Sequence, residues 1–412
     1  MRRHYHWHIC AFVFFATVLN YMDRQTVGIV APLLQQEFSL DNTQLGLLFS
    51  AFYITYGVSV AVLGEAMDRL PIRFAFAAVV LLWSAATALT GLASSFAQLF
   101  AFRMLLGVGE AGNWPATARL VSMYLEPSKR TLANSIYMGG GSAGLIIVSP
   151  LLVWLSADYG WRAGFVIIAS LSIVWIVAWL WWFRPSRVAH LQRYDVHESG
   201  QPETWREILR VPRFYGLLVA SLFGNSCLYF LMNWLPTFLV QDRHFQFNLK
   251  FGGTVIVPFI GLDLGYLLSG FIVLRLVSRL GSLGAARRAV LIGSALLMSV
   301  SVAMVAVASS DVATLLFLFG TTLGMAGWNS NYLCFVEEVS TRKVSAVAGV
   351  VGSAGAFAGA LTQPLIGYLS TSSGSFAPVF FLAAIAIWIA SAGILLTRER
   401  VVEHSPAALE PA

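Results

Sequence analysis

Charge is scarce in this chain. Only 11% of its 412 residues are Asp, Glu, Lys or Arg and 58% are hydrophobic, where a soluble globular domain carries about 25% charged residues. That balance excludes a water-soluble fold. Cysteine is scarcer still: Cys10, Cys227 and Cys334 stand alone in apolar stretches, an odd, scattered set that excludes a disulfide framework and lacks zinc spacing. HYHWH at residues 4 to 8 crowds three histidines together, yet on a helix His4, His6 and His8 do not share one face. They read as a solvated helix end, and no metal site is expected. A P-loop, a dinucleotide fingerprint and a nucleophile–base spacing are also missing. No enzyme activity and no cofactor are therefore expected.

What the chain has in quantity is apolar runs of about 20 residues, each enough to cross a hydrocarbon core near 30 Å thick. Twelve are read, at 9–32, 43–65, 73–93, 96–123, 131–156, 161–183, 212–240, 252–276, 287–308, 312–337, 344–370 and 376–397. The start has the basic flank and apolar core of a signal peptide. No small-residue cleavage site follows it, and helical character continues through Tyr21-Met22-Asp23-Arg24, so it reads as an uncleaved first span. The predicted fold class is an all-α membrane protein. Of the 26 Lys and Arg residues, twenty fall in segments on the side of the termini, three on the other side (Arg162, Arg243, Lys250) and three within spans. The bias of basic loops toward the cytoplasm then predicts both termini inside. It also accounts for the net charge of +6, so no nucleic-acid partner is expected.

Sliding the chain against itself by 214 residues matches Gly141 with Gly355, Pro150 with Pro364, Gly160 with Gly374, Trp114 with Trp328 and Lys129 with Lys343. An offset near half the length implies two parallel six-span halves, a transporter architecture in which substrate is handled near the midplane between them. The expected organisation is an N-terminal half (1–183), a cytoplasmic linker (184–211), a C-terminal half (212–400) and a cytoplasmic tail (401–412). The repeat fails at Arg103 and Glu110, which fall on Phe317 and Gly324. A buried charge confined to one half is an addition to the fold rather than a requirement of it.

A charge at the bilayer centre costs about 2.5 to 3.5 kcal/mol on insertion scales unless it faces a bundle interior or water. Asp23, Arg24, Arg103 and Glu110 stand out on that account. Seven residues separate Arg103 from Glu110, placing them on one face about 10 Å apart along the axis, so each needs a partner from another helix. Asp23 and Arg24 of span 1 are the natural partners, pointing about 100° apart: one is expected to face span 4 and the other the central cavity. Two readings follow. The four groups form a fixed salt-bridge cluster, or the arginines bind an anionic substrate while the carboxylates exchange protons. Spacing does not decide which carboxylate does so. Gly107, Gly109 and Gly112 allow close helix approach, and Pro115 weakens the ladder beyond Glu110. Asp263 in span 8 is a further intramembrane charge with no evident partner.

The loop after span 2 reads GEAMDRLPIR and resembles the cytoplasmic Gly-x-x-x-Asp-Arg signature of the major facilitator superfamily, although Pro71 and Ile72 stand where glycine is usual nearby. The resemblance extends through NYMDR (20–24), RMLLGVGEAGNWPA (103–116), WRAGF (161–165), NWLPTFL (233–239) and PFIGLDLG (258–265), which are similar to the anion:cation symporters and, within them, to the hexuronate and sugar-acid branch. It implies the major facilitator fold, with twelve transmembrane helices in two pseudo-symmetric halves. Its implied activity is proton-coupled uptake of an organic anion through a bacterial inner membrane by a monomer embedded in lipid. Asp23 and Glu110 match the protonatable carboxylates, Arg24 and Arg103 their charge partners, Tyr21 and Tyr56 pocket positions, and Asp68 and Arg69 a conformational latch. Some sugar-acid members have a glutamine where this chain has Gly141 and an asparagine near Ser353, so hydroxyl recognition is expected to differ. Asn113, Tyr229 and Asn329 are further substrate-binding candidates, and Asn233, Asn331, Trp114, Trp234 and Trp328 weaker ones. The alternatives are an exchanger or symporter of aromatic or dicarboxylic acids, and a non-transporting nutrient sensor on the same fold.

Overall fold

The computed structural model describes residues 5–125, 127–188, 204–339 and 344–396; the middle of the expected linker and the expected tail lie outside them. The chain runs α1 (Tyr5–Phe38), α2 (Asn42–Arg69), α3 (Ile72–Gly91), α4 (Phe96–Glu110), α5 (Asn113–Tyr124), α6 (Pro127–Tyr159), α7 (Trp161–Trp182), α8 (Pro185–Val188), α9 (Trp205–Ile208), α10 (Pro212–Gln241), α11 (Leu249–Leu280), α12 (Leu283–Val307), α13 (Asp311–Glu337), α14 (Val344–Ser373) and α15 (Ala377–Leu395). Among the described residues there is no strand. Short polar caps start many of these helices. Asp41 accepts from the Gln44 amide at 2.7 Å while the Gln44 side chain accepts from the Asp41 amide, satisfying two donors that the first turn leaves open. Ser95, Asn248, Ser282 and Ser310 cap α4, α11, α12 and α13 in the same sense.

The internal repeat is visible in the backbone. Gly160 (φ 80°) separates α6 from α7 and Gly374 (φ 71°) lies between α14 and α15, at matched positions where the left-handed conformation favours glycine. Pro150 lies inside α6 and its match Pro364 inside α14. Ten helices of the described residues are long and apolar enough to cross a membrane. The two spans outside that set are α1, whose apolar run is interrupted by Asn20, Asp23, Arg24 and Gln25, and the broken pair α4–α5. These two spans hold the buried Asp23, Arg103 and Glu110.

One difference from the sequence reading lies in span 4, which is not continuous over 96–123. Ala111 and Gly112 (ψ −18° and −17°) tighten the backbone between α4 and α5, and the Gly112 amide bonds Gly109, a three-residue step. Pro115 has no N–H for the Ala111 carbonyl, so the regular ladder cannot close there.

The two halves meet through α2 against α14, α6 against α11, and α1 against α10. The hydrogen bonds joining them gather toward the end remote from the termini. Asn42 donates to Gln241 and Ser370 at 3.0 Å each, Gln241 donates to Gln35 at 3.0 Å, and Ser50 donates to the Ala360 carbonyl at 2.6 Å. Nearer the middle, Asn233 donates to the Tyr53 hydroxyl at 3.0 Å and Gln25 to the Met232 carbonyl. The α2–α14 approach is so close that a Cβ on Gly367 would lie 2.1 Å from the Asn42 carbonyl oxygen. Gly367→Val is therefore expected to force this seam open, lengthening the distance between spin labels placed at the start of α2 and the end of α14. An unchanged distance would show that the contact is not tight.

Candidate functional site

Arg24 and Glu110 are brought together, Nε to Oε2 at 2.7 Å, with the Glu110 side chain fully buried. The partner that spacing required for Glu110 thus comes from α1. Close helix approach makes this possible: a Cβ on Gly107 would lie 2.4 Å from the Phe52 carbonyl oxygen, and Thr55 of α2 donates to the Met104 carbonyl at 2.8 Å. The packed α2 then presents Phe52 beneath both arginines. Its ring centre lies 5.0 Å from the Arg24 guanidinium carbon and 5.1 Å from that of Arg103, within the range where an aromatic face attracts a cation. Tyr21 and Tyr56 complete the surround of Arg24, at 5.0 and 5.1 Å.

Arg103 differs from Arg24 in one decisive respect. It is 1% exposed, yet it reaches no carboxylate; Nη1 donates to the Arg24 carbonyl at 3.2 Å and Nε has no described partner. A buried guanidinium is costly unless it is paired, and this one has donor capacity suited to an anion. Asp23 is not where the sequence placed it. Since Arg24 faces α4, Asp23 was to face the cavity; instead it is fully buried inside the N-terminal half, where Ser172 of α7 donates to Oδ2 at 3.4 Å and Oδ1 has no described partner. The 100° offset is kept, but the rotation of α1 points it at α7.

From the C-terminal half, Tyr229 packs against Tyr53 with ring centres 4.3 Å apart and the rings tilted by 35°, and lies within electrostatic range of Arg24, Tyr56 and Tyr21. Asn329 is one step removed, donating to the Tyr266 hydroxyl at 2.9 Å. Asn113 is not brought to the arginines: its amide meets Thr17 of α1 at 3.5 Å, about 10 Å along α1 from Arg24 toward the terminus. Trp234 and Trp328 are buried and bonded to Gln363 (2.7 Å) and Ser391 (2.9 Å) within their own half, which removes them as ring-stacking candidates. Asn331 bonds the Gly327 carbonyl of its own helix, and Trp114 packs edge-on to Tyr137. In the latch, the Asp68 side chain lies outside the described residues. Arg69 pairs with Glu65 of its own helix at 2.5 Å and is 77% exposed, so it does not bridge the halves here, and such a surface pair adds little stability. Phe52 and Tyr53 were missed from sequence. The signal was available for Phe52, which lies four residues before Tyr56 and so shares its face.

A separate cleft of about 330 Å³ opens at the remote end, lined by Gln35, Asn42, Gln241 and Asp242 among others. It contains no cation and so does not compete with the arginines as an anion site.

Two helical halves joined at a seam, with the Arg24–Glu110 ion pair and a second buried arginine between the helices, are an arrangement that suits a membrane transporter. The Major Facilitator Superfamily model matches residues 13–362, and the chain belongs to that family, whose members here are transporters and not enzymes. It is a multi-pass membrane protein. It is 26% identical over 406 residues to a D-galactonate transporter of Escherichia coli O6:H1, covering 93% of this chain and 94% of the relative. It is 27% identical over 407 residues to a hexuronate transporter of Bacillus subtilis strain 168, covering 95% and 94%. In fold it is similar to a bacterial homolog of the human lysosomal transporter Spinster in an inward-facing, unoccupied conformation, with a TM-score of 0.75, 19% identity, and coverage of 99% of this chain and all of that one.

Proposed function

We propose that the protein is a proton-coupled symporter that carries a hexuronate or related sugar acid into the cell by alternating access. It would reside in a bacterial inner membrane as a monomer, with both termini cytoplasmic. The observation that carries the reading is Arg103: a buried guanidinium without a carboxylate, beside an arginine that already has one. A substrate carboxylate enters at Arg103 and competes with Glu110 for Arg24, since planar guanidinium groups bind carboxylates through paired N–H donors. Glu110, released from Arg24, takes up a proton. Asp23, which makes no described ion pair, is the second proton site.

The loaded halves then rock inward, closing the seam at Gly367 and Asn42 behind the substrate. In the inward-facing state, proton loss restores the Arg24–Glu110 pair and expels the anion, and the empty halves return. Relatives that carry galactonate and hexuronate support the sugar-acid class. The reading is tested with a panel of acids added to the purified protein, because a ligand that binds only the folded state raises its melting temperature. Galactonate, glucuronate or galacturonate is expected to give the largest shift. A shift given only by aromatic or dicarboxylic acids would overturn the sugar-acid assignment.

A further inference from the structure

The arginine site occupies one half only, and it leaves an ionisable group of the other half unused. Asp263 sits midway along α11, partly buried, with its carboxyl facing Ser142 of α6 across the seam. Among the described residues it makes no ion pair. A carboxylate inside a span is costly unless water or a ligand meets it.

Its neighbourhood has a definite hydrogen-bonding character. Tyr266, three residues on and therefore on the same helix face, accepts from Asn329 at 2.9 Å. A phenol that accepts there still has its own proton to donate. Asp263 ionised can only accept, Tyr266 donates, and Ser142 does both. The cluster also adjoins the arginine site. Tyr266 lies within electrostatic range of both Asp263 and Tyr21, and Tyr21 carries the Arg24 guanidinium over its ring at 5.0 Å.

Alternating acceptor and donor groups beside a cation match an acid whose carbon chain bears neighbouring hydroxyls. One hydroxyl donates to the carboxylate, and the next accepts from the phenol. An acid without hydroxyls leaves the carboxylate desolvated and unmatched, which a polar site rejects strongly.

We infer that Asp263, with Tyr266, forms a specificity-determining subsite on the C-terminal half that recognises hydroxyl groups of the substrate while its carboxylate rests on Arg24 and Arg103. The inference rests on the anion-transport reading above and adds to it which part of the molecule demands a polyol.

The test is calorimetric binding of galactonate, galacturonate and the monodeoxy analogues of each to the purified full-length protein. Asp263→Asn is expected to weaken the fully hydroxylated acid about tenfold, the scale of one hydrogen bond to a charged group. For the analogue lacking the hydroxyl that meets Asp263, wild type and variant are expected to bind alike. Tyr266→Phe, which keeps the ring, is expected to single out a neighbouring hydroxyl, and it carries the test alone if Asp263→Asn does not fold. Loss by the same factor for every analogue, or no loss for any, would overturn the subsite and leave the sugar-acid reading standing. Wild type that binds none of these acids would overturn both.

Discussion

Arg103→Ala is expected to eliminate ligand-induced stabilisation while leaving the ligand-free melting temperature unchanged or higher. Arg103 is buried with no carboxylate and a single described hydrogen bond, to the Arg24 carbonyl. Removing this guanidinium breaks no direct ion pair, and the desolvation cost relieved offsets the lost attraction to Glu110 and the Phe52 ring. In the bound state the same guanidinium would meet the substrate carboxylate in a dry site, where loss of one partner costs about 3 to 5 kcal/mol, or roughly two to four orders of magnitude in affinity. Arg103→Lys is not expected to rescue binding, because a point ammonium cannot reproduce the planar fork. A purely structural arginine gives the opposite pattern: a lower ligand-free melting temperature with the ligand shift retained. Melting curves of wild type, Arg103→Ala and Arg103→Lys, with and without galactonate, separate the two.

Glu110→Gln is expected to stop uphill accumulation while preserving exchange of labelled for unlabelled substrate. Glutamine keeps an acceptor near the Arg24 Nε that Glu110 now meets at 2.7 Å, so the site retains its shape. It cannot gain or lose a proton, however, and the competition between substrate and carboxylate for Arg24 is gone. Counterflow in proteoliposomes reads the exchange and gradient-driven uptake reads the accumulation. If neither is lost, Glu110 has no part in coupling.

Much of the architecture was legible because it rests on short-range rules. Apolar runs, polar caps and the 214-residue repeat gave the helices and the two halves, and Gly160 and Gly374 carry the repeat into matched left-handed turns. Span 4 was read as one helix because Ala111 and Gly112 are individually compatible with a helix. Their tightening depends on Pro115 together with packing against α3, where a Cβ on Gly112 would meet Val79 at 2.7 Å.

The site divides in the same way. That Glu110 needed a partner from span 1 followed from helical geometry. That Arg24 and not Asp23 would supply it was set by how α1 is rotated in the bundle, a tertiary quantity with no sequence signature. Asn113, Trp234 and Trp328 looked available for substrate because polar and aromatic residues in spans do. Their partners Thr17, Gln363 and Ser391 lie 96, 129 and 63 residues away, beyond any local pattern. Tyr53 escaped for a related reason: its role is to meet Tyr229 and Asn233 of the opposite half.

The most direct test of the central claim is uptake of labelled galacturonate and galactonate into proteoliposomes with and without an inward proton gradient. Accumulation above the external concentration that appears with the gradient and collapses with a protonophore is the expected result. Uptake that proceeds identically without the gradient would contradict it.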